Sequence, residues 1–191
     1  IIVDHPFFAD VSVIGAAIRS SYDLPVTVSV AVGDTLAEPW GEFESPTGGN
    51  VNDRRNPRHF EGDVLFDSAE TIRVAARSWT KRSSSYSGNY DSHWRELMTV
   101  FSDGGTPNVH VLRNGDDVPR YDGYNGQASA ETFLRPYISN DNKITLEDNQ
   151  AIFLFELGTT NMNSSAADFQ DLVVVVTMRR PGATALTDSQ L

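Results

Sequence analysis

AIFLFELGTTNMNSSAADFQDLVVVVTM, residues Ala151–Met178, sets two apolar runs on either side of a polar loop. Ile152 to Leu157 and Leu172 to Val176 are short, continuous and rich in β-branched or aromatic residues, so they read as central strands of a core. Three carboxylates, Glu156, Asp168 and Asp171, stand where the runs meet the loop. Acids beside buried strands must be met by a cation, by hydrogen-bond donors or by water, because an unpaired buried charge is very costly.

Outward from this pair, period-two alternation recurs and helical periodicity is scarce. Val26, Val28, Val30 and Val32 share one face of LPVTVSVAVG, and Ile72, Val74 and Ala76 share one face of ETIRVAARSW. Further strands are expected in DVSVIGAAI, EGDVLFD, HWRELMTVFS, NVHVL and KITL. In HWRELMTVFS a helical spacing of Trp94, Leu97 and Phe101 competes, and the flanking β pattern favours strand. Asn114-Gly115 signals a tight turn, and the EDNQ after KITL is expected to close another. Only ETFLRPYI, Glu131 to Ile138, resembles a helical turn, kept short by Pro136. Nine or so short strands predict an all-β fold, an antiparallel sandwich of jelly-roll type with at most one short helix. Residues 1–191 form one domain, with 1–20 and 180–191 as candidate strand-exchange or assembly segments. Two long connections stand out, Gly33 to Gly62 as an expected surface excursion and the Ser- and Tyr-rich Lys81 to Ser92, and long loops of this kind are functional or disordered.

The chain has 15 Lys+Arg against 26 Asp+Glu, for a net charge of -11. Such a surface repels phosphate backbones, which disfavours nucleic acid as a partner. With no cysteine there is no disulfide, thiolate metal site or cysteine nucleophile. No apolar run reaches the roughly 18 residues of a membrane helix. A start at Ile1 reads as a processed product or an excised domain.

Calcium takes six to eight oxygen ligands, and Glu156, Asp168 and Asp171, with Thr159, Asn161, Asn163 and Gln170 between them, offer oxygen donors. Asp168 and Gln170 would share one side of an extended strand and Asp171 the other. One ion reaches all three acids only where the backbone is still turning. The stretch around residues 153–176 resembles the acidic signature of a β-rich domain near the C-termini of secreted bacterial surface proteins. In that family Phe-Glu-Asp precedes Asp-x-Asp-Tyr/Phe-Asn-Asp-Leu/Val. Phe155-Glu156 and Asp168-Phe169-Gln170-Asp171-Leu172 match this frame, whereas Leu157, Ala166 and Gln170 replace an acid, an acid and an Asn. The resemblance implies an exported β-protein and calcium as the one candidate ion.

Other motifs read as structure. The acidic turns at Asp103, Asp116-Asp117 and Asp141 lack the D-x-D-x-D-G frame of a calcium loop. His5, His59, His93 and His110 never take metal-ligand spacing, and no G-x-S-x-G elbow occurs. Trp40, Tyr86, Tyr90, Tyr121 and Tyr124 fall in expected loops, where rings stack on glycans or anchor subunit contacts. Three functions are therefore expected, in this order. The first is a non-catalytic structural subunit of a surface filament, pilus-like or sheath assembly, self-associating through strand edges and termini. The second is a carbohydrate-binding adhesion module, with or without calcium. The third is a jelly-roll polysaccharide hydrolase.

Overall fold

The computed structural model describes residues 4–53, 58–121 and 127–182. Among the described residues nine strands form two antiparallel sheets: β1 (Phe8–Gly15), β2 (Val26–Val32), β3 (Thr35–Ala37), β4 (Arg58–Phe60), β5 (Ile72–Lys81), β6 (Trp94–Phe101), β7 (Val109–Leu112), β8 (Gln150–Phe155) and β9 (Leu172–Arg179). One sheet runs β4-β1-β9-β8-β7 and the other β3-β2-β5-β6. They pack as the expected all-β sandwich. Helix is confined among the described residues to the short α1 (Pro46–Gly49) and α2 (Ala130–Leu134), the latter extended by a 3-10 turn through Pro136, and to a 3-10 turn at Asp91–His93.

Alternation builds the layer between the sheets. Val26, Val28, Val30 and Val32 of β2 and Ile72, Val74 and Ala76 of β5 meet Val11 and Val13 of β1, Phe153 and Phe155 of β8, and Val174 and Val176 of β9. The opposite faces of β8 and β9 are buried as well. Ile152, Leu154, Val173 and Val175 pack under Leu134, Ile144, Leu146 and Phe169, contributed by the connections on either side. Burial on both faces explains why these two strands are continuous apolar runs rather than alternating ones.

Three expectations change. EGDVLFD forms no named strand: only Phe66 pairs, as an isolated bridge to Phe7, while Val64 and Leu65 are exposed. KITL makes isolated bridges, Lys143 to Asp117 and Ile144 to Ile138, and folds over the outer face of β8. In their place β3 and β4, three residues each, edge the two sheets. The Gly33 to Gly62 connection is also no free excursion. It covers the outer face of β2 and β5, with the Thr27 hydroxyl donating to Phe43 O (2.8 Å) and accepting from Trp79 Nε1 (3.1 Å). Arg77 lies over the Phe43 ring, 4.2 Å from its centroid, and pairs with Glu44 and Glu96.

Of the candidate assembly segments, β1 is paired on both sides within its own sheet. Residues 1–3 and 183–191 lie outside the described residues. The β1–β9 pairing is locked by Asp10, which is buried. Its carboxylate accepts from Arg179 Nε at 2.7 Å and from Gly62 N at 3.0 Å, and Arg179 Nη2 reaches Gly62 O at 3.0 Å. Removing one partner of such a pair strands the other. Asp10→Ala is expected to cost about 3 kcal/mol, read as a fall of roughly 10 °C in the thermal unfolding midpoint.

Candidate metal centre

The β8–β9 register ends at the pair Phe155 and Leu172. The next residues outward are Glu156 and Asp171, so antiparallel pairing alone sets these two carboxylates side by side. Asp168 joins them because the chain turns sharply just before β9. Phe169 has φ +53°, a left-handed conformation that non-glycine residues rarely adopt. Packing holds it there: the Phe169 ring lies 4.2 Å from the His110 ring and 4.8 Å from the Tyr121 ring, centroid to centroid. This is the turn that the sequence required for three acids to meet. Carboxylate oxygens of Glu156, Asp168 and Asp171 all lie within 4.8 Å of one another, and all three residues are buried.

Main-chain donors hold the cluster. Glu156 Oε1 accepts from Gly158 N and Thr159 N, both at 2.9 Å, and Oε2 accepts from Asp168 N at 3.1 Å. Asp171 Oδ2 accepts from Leu157 N at 2.6 Å. Asn108, on the strand side of the site, accepts from Glu156 N and donates Nδ2 to the carbonyls of Glu156 and Thr159. The Ser78 hydroxyl reaches across from the other sheet to Leu157 O at 2.7 Å. The loop is thus pinned to both sheets.

These donors do not neutralise the charge. Burial pushes the Glu156 carboxyl above its ordinary range, and the charge of Asp168 adds to the shift despite the amide bonds. Burial, followed by the charge of Glu156, pushes Asp171 up further, well above a normal carboxylate. Among the described residues no lysine or arginine forms an ion pair with Glu156 or Asp171. Two acids this close cannot both ionise freely. A proton shared between the carboxyls relieves them.

Gln170 is a further observation on the site. It is fully buried, and its Nε2 donates to Asp168 Oδ2 at 3.0 Å, yet its Oε1 has no partner. A buried acceptor left unsatisfied costs about 1–3 kcal/mol. Reversing the amide would set its oxygen against the Asp168 carboxylate. The donor set, three carboxylates, is all oxygen and suits a hard cation such as calcium. Gly158 is exposed and lies close against the cluster: a Cβ there would lie 3.3 Å from Glu156 Oε1 and 3.6 Å from Asp171 Oδ2.

Other sequence-nominated residues fall elsewhere. Thr159 Oγ1 and Asn161 Oδ1 accept from main-chain N–H groups two residues on, and so brace the loop. Tyr86 and Tyr90 pack around the His93 ring. Tyr121 lies beside Phe169, its hydroxyl 3.2 Å from His110 Nδ1. Trp40 lines a separate cleft. Tyr124 lies outside the described residues. Among the described residues a serine meets a histidine at Ser12 and His59, 2.7 Å apart, as a part-buried cross-strand pair. Asn108, Ser78 and the turn at Phe169 were not nominated by the sequence. Comparison of the chain with family models, curated proteins and solved structures finds no match.

The pH dependence follows from the raised carboxyls. In the fold they keep protons that the unfolded chain releases near pH 4. Their contribution to stability is complete below that point and is lost as pH rises through the shifted values. In chelator, the unfolding midpoint of wild type relative to Asp171→Asn is expected to fall as pH rises from about 4 to 7. A flat difference would show that the acids carry no strain.

Proposed function

We propose that this chain is a non-catalytic structural module of an extracellular surface assembly, its sandwich fastened by a calcium ion at Glu156, Asp168 and Asp171. The observation that carries this reading is the buried convergence of the three carboxylates at the junction of the two central strands. An ion there would be held by the three acids, and would supply the positive charge that the amide donors lack. Calcium is abundant outside cells, where a site of modest affinity is filled. The same features favour a structural role over glycoside hydrolysis, which needs two facing carboxylates about 5–9.5 Å apart with a sugar between them.

Assembly draws support from the sheet edges. At the open side of the sandwich, between β3 and β4, Leu36, Val64 and Leu65 are 61%, 48% and 54% exposed beside an apolar groove of about 100 Å³. The edge strand β6 is less suited to strand addition. Its register shifts opposite Ser78 and Trp79, leaving Leu97 unpaired, and such bulges blunt an edge.

Calcium at about a hundred times its dissociation constant is expected to stabilise the chain by about 2.7 kcal/mol. That corresponds to a rise of roughly 5–10 °C over chelator in the unfolding midpoint. Glu156→Gln is expected to abolish the rise. An unchanged midpoint in calcium would contradict the reading. For the assembly, Leu36→Asp is expected to reduce the self-association of wild type measured by sedimentation velocity, and a strictly monomeric wild type would remove the subunit role.

A further inference from the structure

We infer that the chain also binds a neutral saccharide, in a cleft of about 720 Å³ remote from the carboxylates in sequence, where its two long connections converge. Both connections stand out in the sequence by length alone, and the fold ties one to the other. Thr47 donates its main-chain N–H to Asp91 Oδ1 at 3.1 Å and its hydroxyl to Asn89 O at 2.7 Å. The volume lies within the range of about 300–1,000 Å³ typical of small-molecule sites.

Two asparagines on the cleft wall are fixed by the main chain in opposite senses. Asn50 Oδ1 accepts from Val26 N at 3.0 Å and from Asn52 N at 2.9 Å, which leaves its Nδ2 as a donor. Asn52 Nδ2 donates to Ile18 O and Leu24 O, both at 2.9 Å, which leaves its Oδ1 as an acceptor. Neither remaining end bonds to another described residue. The two amides cannot turn away without breaking main-chain bonds. They present one donor and one acceptor already in place, so little side-chain freedom is lost on binding.

Adjacent hydroxyls of a sugar ring each donate and accept, and they match this pair. Trp40, half-buried against the core, and Trp94, buried at the start of β6, give the same cleft aromatic walls. Aromatic faces pack on the C–H faces of pyranose rings, combining apolar contact with weak C–H interactions. Charge selects the class further. Arg58, which also lines the cleft, is committed to Asp53, and a chain of net charge -11 disfavours anionic ligands. A peptide main chain also pairs a donor with an acceptor. Extended peptides, however, add to open strand edges, whereas this cleft offers side-chain amides carried on a connection.

The test is an array of neutral gluco-, manno-, galacto- and xylo-oligosaccharides probed with the full chain in calcium buffer, beside a peptide array, followed by calorimetry on the best binder. At least one oligosaccharide is expected to be retained. Asn50→Asp keeps the Oδ1 acceptor that anchors the loop and replaces the Nδ2 donor with a charged acceptor. It is expected to weaken binding about tenfold or more with the unfolding midpoint unchanged. Trp40→Ala is expected to abolish binding, with folding checked by the same melt. Retention of no oligosaccharide, retention of peptides alone, or unchanged affinity in Asn50→Asp would overturn the inference.

Discussion

Three carboxylates are buried beside the two most apolar strands of this chain, and much of the local structure follows from keeping them there. Five main-chain and side-chain donors turn toward them, an asparagine clamps the strand end, and a phenylalanine takes a left-handed backbone to complete the turn. Each of these arrangements costs conformational freedom or strain. A protein that needed only a loop between β8 and β9 could have used an ordinary polar turn. The proposed divalent cation would match the charge and the oxygen chemistry of the acids.

The position of the centre explains its mechanical value. β8 and β9 lie in the middle of one sheet, buried on both faces, and Ser78 couples their connecting loop to the other sheet. An ion at this junction would therefore brace the whole sandwich rather than a peripheral loop. The Asp10–Arg179 lock holds β9 to β1 nearer the opposite end of the strand. Between them the β9 strand is fastened near both ends.

Sequence and structure agree where burial patterns are strong. The alternation in β2 and β5 and the continuous runs of β8 and β9 identified their strands, and the clash of periodicities in β6 was decided correctly by its neighbours. KITL and EGDVLFD misled because apolar residues mark burial, not pairing. Ile144 and Leu146 bury by capping the outer face of β8, and Phe66 by meeting Phe7. The edges β3 and β4 carry three residues each, too few to show any period. Glu156 and Asp171 were legible as a pair because they bracket two strands. Their union with Asp168 was legible only as a condition, since nothing local marks Phe169 for positive φ. The packing of His110 and Tyr121 that enforces it comes from distant segments.

The most direct test of the carboxylate centre is a calorimetric titration of the chain with calcium near pH 6, run in two buffers of different ionisation enthalpy. If the raised carboxyls exchange a proton for the ion, one calcium binds per chain and the heat differs between buffers by an amount that reports proton release. Both signals vanish in the Glu156→Gln, Asp171→Asn double variant. No saturable heat, or binding that persists in that variant, would contradict it.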